Sequence, residues 1–350
     1  MMKKENPGNW NSHTPIPHNR PTLGKAEALA AINILRSGWV AQGKTVEAFE
    51  EELCDFLGLP NGCAVAVSSG TAALYLSLLF LGAKDKNVAF PTYTCSALRN
   101  ASTLARAKSF LVDSQINSPN IDIELIDKNV DIAIVPHMFG IPQIIYPKHK
   151  SIRIIEDCAQ SLGAKVKGSN VGIQGDVGVF SFYATKLITS GGQGGMIVSK
   201  DSTLIQEIKD YRLFDRRSDS KIRFNFQMTD LQAAIGTTQL RQLPQFIARR
   251  EEIFEQYCSA GLPLIDGPPN TKAVRFRAIL NTSKQDEVIS ALQNNNITAV
   301  IPIKESELIE SLDKYQNALY WTKNTVSLPI YPTLKDNDVK RIIEVVKNTL

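Results

Sequence analysis

The stretch from Gly175 to Gly195, GDVGVFSFYATKLITSGGQGG, restricts the fold more than any other part of the chain. Val177, Val179, Phe180, Phe182 and Tyr183 make an apolar, aromatic-rich run bounded by glycines, the pattern of a buried strand. Lys186 follows directly, and then a turn so rich in glycine that backbone must pack closely there. A lysine held just after a buried strand can form a Schiff base with a carbonyl compound. The competing reading is an ordinary surface lysine at a strand end.

On either side of this stretch, strands and helices alternate. Lys25 to Arg36 is helical, with Leu29, Ile32 and Leu35 at helical spacing, and Val46 to Leu57 places Val46, Phe49, Leu53 and Phe56 on one face. Ala64–Val67 reads as a strand, Ser68-Ser69-Gly70-Thr71 as a turn, and Ala72 to Leu81 as an apolar helix. Strands follow at Asn87–Phe90 and Ser109–Val112, with a helix near Ser96–Ala107 between them. Asp131–Pro136 and Ile152–Ile155 are continuous apolar runs of the kind buried in parallel sheets. The alternation across Ala64–Ser199 implies a layered α/β sheet.

Beyond a charged, irregular segment (Arg212–Arg223), Thr229–Leu243 is a strong helix that Pro244 ends or kinks. A further helix, Ala248–Cys258, leads into shorter elements at Ala273–Leu280, Ser283–Asn294 and Asp336–Thr349. A chain of 350 residues outgrows a single core. The expected division is an N-terminal arm (1–24), a large α/β domain (25–247) and a small C-terminal α+β domain (248–350).

Composition narrows the function. A net charge of +4 is small for this length and gives no reason to expect a nucleic-acid partner. No apolar run is long enough to span a membrane. Two N-terminal lysines with no apolar segment behind them do not make a secretory signal, so a cytoplasmic location is expected. Cys54, Cys63, Cys95, Cys158 and Cys258 are widely spaced without a CxxC pair, which fits a reducing compartment rather than disulfides or zinc. His13, His18, His137 and His149 show no ligand spacing, so no metal is expected and they read as structural.

Four short pieces carry chemistry. Ser68-Ser69-Gly70-Thr71-Ala72 lies between a strand and a helix, where unpaired N–H groups and the helix dipole suit a phosphate; a plain capping turn explains Ser and Thr equally well. Asp157, in Ile154-Ile155-Glu156-Asp157-Cys158-Ala159-Gln160, sits at the carboxyl end of a buried strand, where open α/β sheets place ligands. A carboxylate there can keep a pyridine nitrogen protonated, as pyridoxal 5′-phosphate (PLP) requires, or merely cap a helix. Gln160 reaches the ring's phenolic oxygen if a helix begins at this point. Ser181 can donate to the same phosphate, and Asn225 is either a ligand or a turn residue ahead of a helix. Arg212, Arg216, Arg217, Lys221 and Arg223 could meet a diphosphate or form a solvated loop. Gly168, Gly172 and Gly175 lack the strand-to-helix context of a dinucleotide fingerprint, which counts against a nicotinamide enzyme.

With strand–SSGTA–helix, IIEDCAQ, FSFYATK and FNFQMTDLQAAIGTTQL in this order, the chain resembles the DegT/DnrJ/EryC1/StrS family of PLP-dependent sugar aminotransferases. The resemblance runs from Ile16–Pro21 and SGWVAQGKTVEAFEEE to SLPIYPTL, nearly the whole chain. It implies the PLP-dependent transferase fold of type I, with a large, mostly parallel α/β sheet domain and a smaller C-terminal α+β domain. It further implies that Lys186 is the Schiff-base lysine and proton shuttle, that Asp157 pairs with the pyridinium nitrogen and that Gln160 lies beside O3′. Gly70, Thr71 and Ser181 would form the phosphate cup, and Asn225 would reach the phosphate of the other subunit in a homodimer with shared sites. Lysine rather than histidine at 186 favours an aminotransferase over the family's sugar dehydratases.

Three departures stand out. Cys95 occupies the position that usually stacks an aromatic on the cofactor ring, with Tyr93 as the neighbouring substitute. SGGQGG is a longer glycine turn carrying Gln193 in place of a glutamate, and Val300-Ile301-Pro302-Ile303-Lys304 lacks a histidine. The function the resemblance implies is transfer of an amino group from glutamate or glutamine to a keto-sugar, with a nucleotide-activated keto-deoxyhexose as the expected acceptor, in polysaccharide or secondary-metabolite sugar biosynthesis. A keto-cyclitol acceptor, or a catalytically weak PLP-binding sensing protein, are the alternatives.

Overall fold

The computed structural model describes residues 14–146, 151–308 and 314–350; residues 1–13 of the expected arm, with His13, and His149 lie outside the described residues. Seven strands make the main sheet: β1 (Ala64–Val67), β2 (Asn87–Pro91), β3 (Lys108–Val112), β4 (Ile132–Pro136), β5 (Arg153–Asp157), β6 (Val177–Ser181) and β7 (Gly195–Val198). Their spatial order is β1-β7-β6-β5-β4-β2-β3. Neighbours from β6 through β3 are parallel, and β7 alone runs antiparallel to both of its partners, β6 and β1. The carboxyl ends of β1, β2, β4, β5 and β6 therefore share one edge of the sheet.

Every residue of β1 is buried, yet its side chains alternate between two cores. Ala64 and Ala66 pack with Phe180, Met196 and Val198 under α2 (Lys44–Leu57). Val65 and Val67 pack with Val177, Val179 and Ile197 under α3 (Gly70–Phe80), α4 (Ala97–Leu104) and α5 (Ser202–Arg212). The result is helix layers on both faces of a mostly parallel sheet.

Helix α6 (Asp230–Ser259) is one helix of 30 residues that continues through Pro244, where the sequence suggested an end or kink. A proline removes one backbone bond; here two cores hold the helix on either side of it. Leu240, Leu243 and Phe246 belong to the core beneath the large sheet. Ile253, Phe254 and Tyr257 belong to a C-terminal core. A Thr229–Gln232 capping box fixes the start of α6. The C-terminal core also gathers an antiparallel pair, β8 (Ala278–Asn281) with β9 (Thr325–Leu328), and helices α7 (Gln285–Asn294) and α9 (Asp336–Thr349). Helix α8 (Gln316–Lys323) precedes β9.

Several expectations need correction. Helix α5 lies just ahead of the segment that looked irregular: Asp201 caps it through the amides of Thr203 and Leu204, and Leu204, Ile205 and Ile208 are buried. Arg212 is no loop residue, since its guanidinium is buried on Glu50 Oε1 and the Ala66 carbonyl, both at 2.6 Å. Arg223 pairs with Asp210 and Asp219, and Arg217 with Asp210, so much of the basic cluster is neutralised internally. Tyr183 lies past the end of β6 and is exposed rather than part of a buried strand. Helix α1 (Lys25–Ser37) forms as expected, but Leu29, Ile32 and Leu35 point outward at 58%, 42% and 58% exposure, so none of the described residues covers them.

Candidate active site

Because β1, β5 and β6 end at one edge, their following residues meet. Val67 and Ser181 flank Gly195 in register, and Asp157 lies opposite Val179. Ser69 caps α3, its hydroxyl accepting from the Ala72 amide at 3.1 Å. The capping role is thus real, and it leaves the Gly70 and Thr71 amides as the unpaired first-turn donors of an 11-residue helix. A Cβ on Gly70 would sit 2.8 Å from Ser181 Cβ, so glycine lets the helix start close on the β6 end.

Gly70, Thr71, Cys95, Asp157, Ser181 and Lys186 line one cavity of about 230 Å³, with Tyr183 and Gln193 at its wall. Six of the eight predicted site residues thus come together. Asp157 Oδ1 accepts from the Ala159 amide at 3.0 Å, which leaves Oδ2 without a protein hydrogen bond. Burial raises the carboxyl above its ordinary range, against the pull of the Ala159 amide, Lys186 and His137. The Lys186 amine has no ion pair among the described residues and lies 5.4 Å from the centroid of the Phe276 ring. Burial lowers its pKa, opposed by Cys95 and Asp157 and assisted by Arg277. Cys95 is an exposed residue whose thiol borders the cavity; desolvation there, with the Asp157 charge adding to it, raises the thiol pKa.

Two residues stand apart from the cavity. The chain turns at residues 159–163 and starts no helix there, so Gln160 is placed differently from the sequence reading. Its Oε1 accepts from the Phe139 amide at 2.7 Å, leaving the side-chain nitrogen as its donor to a ligand. Asn225 is exposed, accepts from the Gln227 amide at 3.1 Å and does not line this chain's cavity. Tyr93 does not substitute for the missing aromatic, since it is fully buried with its ring edge-on to Phe139.

The sequence reading missed the support beneath Asp157. His137 Nδ1 accepts from the Gln143 amide at 2.9 Å, so Nε2 carries the hydrogen toward Glu156 at 3.1 Å. Glu156 also collects the amides of Gly172, Gln174 and Gly175. Burial alone would raise the Glu156 pKa, but His137 and these amides outweigh it and hold it down. Cys158 joins this pair in a buried group whose ligand atoms lie within 4.8 Å of one another. Hydrogen bonds already take both ring nitrogens and both carboxylate oxygens, which makes the pair a brace for the β5 end. Also missed were Arg277 and Phe276, for which no motif gave a signal, and the arm residues His18 and Asn19, which lie in the Ile16–Pro21 stretch of the resemblance but were given no role at the site.

The model of the DegT/DnrJ/EryC1/StrS aminotransferase family matches residues 21–347. The chain belongs to the DegT/DnrJ/EryC1/StrS aminotransferase family. GDP-perosamine synthase of Vibrio cholerae is 30% identical across 95% of this chain and 98% of its own. The spore coat polysaccharide biosynthesis protein SpsC of Bacillus subtilis is 30% identical across 95% and 96%. A putative sugar aminotransferase of Streptococcus pneumoniae, solved in its PMP form, shares the fold with a TM-score of 0.88 at 24% identity, covering 96% of this chain and 98% of that one.

As a family member the chain is a PLP-dependent aminotransferase of fold type I. The cavity fits that cofactor: phosphate donors at one end, a buried carboxyl with a vacant oxygen, and an amine held without a counter-ion.

Proposed function

We propose that the chain transfers an amino group from glutamate or glutamine to a keto-sugar, nucleotide-activated, in polysaccharide or secondary-metabolite sugar biosynthesis. The observation that carries this reading is the shared cavity that holds Lys186, unpaired, beside buried Asp157 and the α3 N-terminus. The names of the relatives, a GDP-perosamine synthase and a spore coat polysaccharide biosynthesis protein, support a sugar as the acceptor. PLP, when bound, supplies the electron sink that makes the substrate C–H bond acidic.

In this reading the Gly70 and Thr71 amides and Ser181 hold the phosphate. Asp157, fixed by Ala159 and the brace below it, would hold the pyridinium nitrogen, and Gln160, which lies outside the cavity lining, would offer its side-chain nitrogen to O3′. Lys186 would be the residue that holds the cofactor through its amine and would carry the proton to and from the reacting carbon, for which a lowered amine pKa is suited. Cys95, in the cavity wall, would lie at the ring. Asn225, exposed and remote from its own cavity, completes the site of a second copy, and the uncovered Leu29–Ile32–Leu35 stripe is where that copy packs. The arm, large and small domains divide at residues 24 and 247, and the enzyme is cytoplasmic.

The test is a visible spectrum of the PLP-loaded protein on titration with glutamate and glutamine, followed by acceptor sugars with and without UDP or GDP. Bleaching by either donor and competition by a nucleoside diphosphate support the reading. Bleaching without such competition shifts the acceptor to a keto-cyclitol or another free ketone. A band that no amino acid bleaches overturns transamination in favour of a sensing protein.

A further inference from the structure

A second, smaller cavity of about 100 Å³ opens beside the lysine loop, bounded by His18, Asn19, Thr185, Phe276, Arg277 and Ile330. Arg277 is the cation of this pocket, and it lacks a carboxylate partner among the described residues. Its Nε is sealed from solvent with no hydrogen bond. Its guanidinium carbon lies 5.7 Å from the Phe276 ring centroid and 6.0 Å from that of Phe139, and Nη1 is 3.4 Å from His18 Nε2. Burial lowers its pKa, and Tyr93 and Glu307 offset this only through space; a desolvated guanidinium with no carboxylate in contact is costly unless a ligand completes it.

The surroundings define the ligand. His18 Nε2 also meets the Ser327 hydroxyl at 2.8 Å, so the ring accepts at Nε2 and carries its hydrogen on Nδ1. The Phe139 carbonyl accepts from the Arg277 amide at 3.2 Å, and the Phe139 amide is held by Gln160, which fixes the wall behind the guanidinium. Phe276 is shared: the Lys186 amine lies 5.4 Å from the same ring centroid. One planar cation in a pocket this small, walled by Phe276 and Ile330 as well as by His18, Asn19 and Thr185, matches one carboxylate. A diphosphate would need a second cation or a set of amide donors that this pocket does not have.

We propose that Arg277 is the docking cation for a carboxylate of the amino-acid donor, holding the donor's amino group toward Lys186. This rests on the transamination reading above and adds the residue that selects an amino acid as donor. The orienting fork is the guanidinium, and Asn19, bonded to the Thr185 carbonyl at 2.9 Å, ties the arm over the pocket.

The experiment uses the PLP-loaded protein and glutarate, a dicarboxylate that lacks the amino group and cannot react, with binding read by calorimetry. Arg277→Gln should weaken glutarate roughly 10- to 100-fold, the scale of a lost charged hydrogen bond. The glutamate concentration that half-bleaches the cofactor band should rise in parallel, and Arg277→Lys should recover part of both. Affinity for UDP and GDP should change far less. Equal glutarate binding in wild type and Arg277→Gln, or a loss that falls on the nucleoside diphosphates instead, overturns the assignment. If wild type itself is never bleached by an amino acid, the transamination reading fails; if it is bleached and Arg277→Gln behaves identically, only Arg277 loses its role. Should Arg277→Gln not fold, the charge-preserving Lys variant carries the comparison, and unchanged glutarate affinity there with unchanged donor response also overturns the bidentate assignment.

Discussion

Gly195 lies so close to Ser69 that a Cβ on it would sit 2.3 Å from the Ser69 carbonyl oxygen. The contact joins β7, the only antiparallel strand of the main sheet, to the turn that opens α3. Relief cannot come from a flexible side chain, because the colliding atoms are backbone. Gly195→Ala must push the α3 N-terminus away from Ser181. Overpacking of this kind costs about 1–3 kcal/mol. The expected result is a lower urea midpoint together with at least tenfold weaker PLP binding by equilibrium titration. Unchanged PLP affinity would show that the strand-to-helix contact does not shape the phosphate cup.

Lys186→Ala should lower turnover by at least the factor of about 10²–10⁴ that a positioned acid–base contributes. Because burial disfavours the charged amine, removing it should not destabilise the apoprotein, and the variant should melt at or above the wild-type temperature. Wild type should capture PLP faster as pH rises toward a midpoint below the ordinary lysine value of 10.5, since the neutral amine reacts. Calorimetric melting and stopped-flow absorbance check both points. A wild-type rate in the variant would remove Lys186 from the mechanism.

Much of this site was legible because it is built where strands end. Val177 to Phe182, the SSGT turn and the IIED run each announce a buried strand with a polar residue at its carboxyl end, and parallel pairing brings such ends together. Gly70, Thr71, Asp157, Ser181 and Lys186 followed from that rule. Arg277, His18 and Phe276 did not, because they come from the arm and from the chain ahead of β8, and only tertiary packing sets them beside Lys186. β7 was hidden in a glycine run that reads as turn. Helix α5 was hidden because its neighbouring charged segment dominates the local composition. Proline 244 misled for the opposite reason: a local rule lost to two cores that hold α6 on both sides.

The outward stripe on α1 predicts association. Leu29 and Leu35, each 58% exposed, lie off the helix line that buries Glu27. Replacing both by lysine should leave the chain's own cores intact while converting a dimer to monomers in sedimentation velocity at micromolar concentration. PLP affinity should fall with it if Asn225 of one copy completes the other's site. A mixture of Lys186→Ala and Asn225→Ala chains should then regain activity that neither has alone. A monomeric wild type, or no recovery on mixing, would contradict the shared site.

His18 makes the arm sensitive to acid. Burial, with the Arg277 and Arg250 guanidinium groups adding to it, pulls its pKa from 6.5 to about 3. The unfolded chain therefore binds a proton below pH 6.5 that the folded chain refuses until about pH 3. Stability must fall as pH drops through that window and lose nothing further to this group beneath it. One proton corresponds to at most about 1.4 kcal/mol per pH unit. His18→Gln can keep a hydrogen bond to Ser327 but cannot titrate. Urea midpoints measured from pH 7 to pH 4.5 should fall more steeply for wild type than for the variant, with the two curves converging toward the acid end. Parallel curves would mean that the ring is protonated in place, with its contact to Arg277 already broken in the folded state.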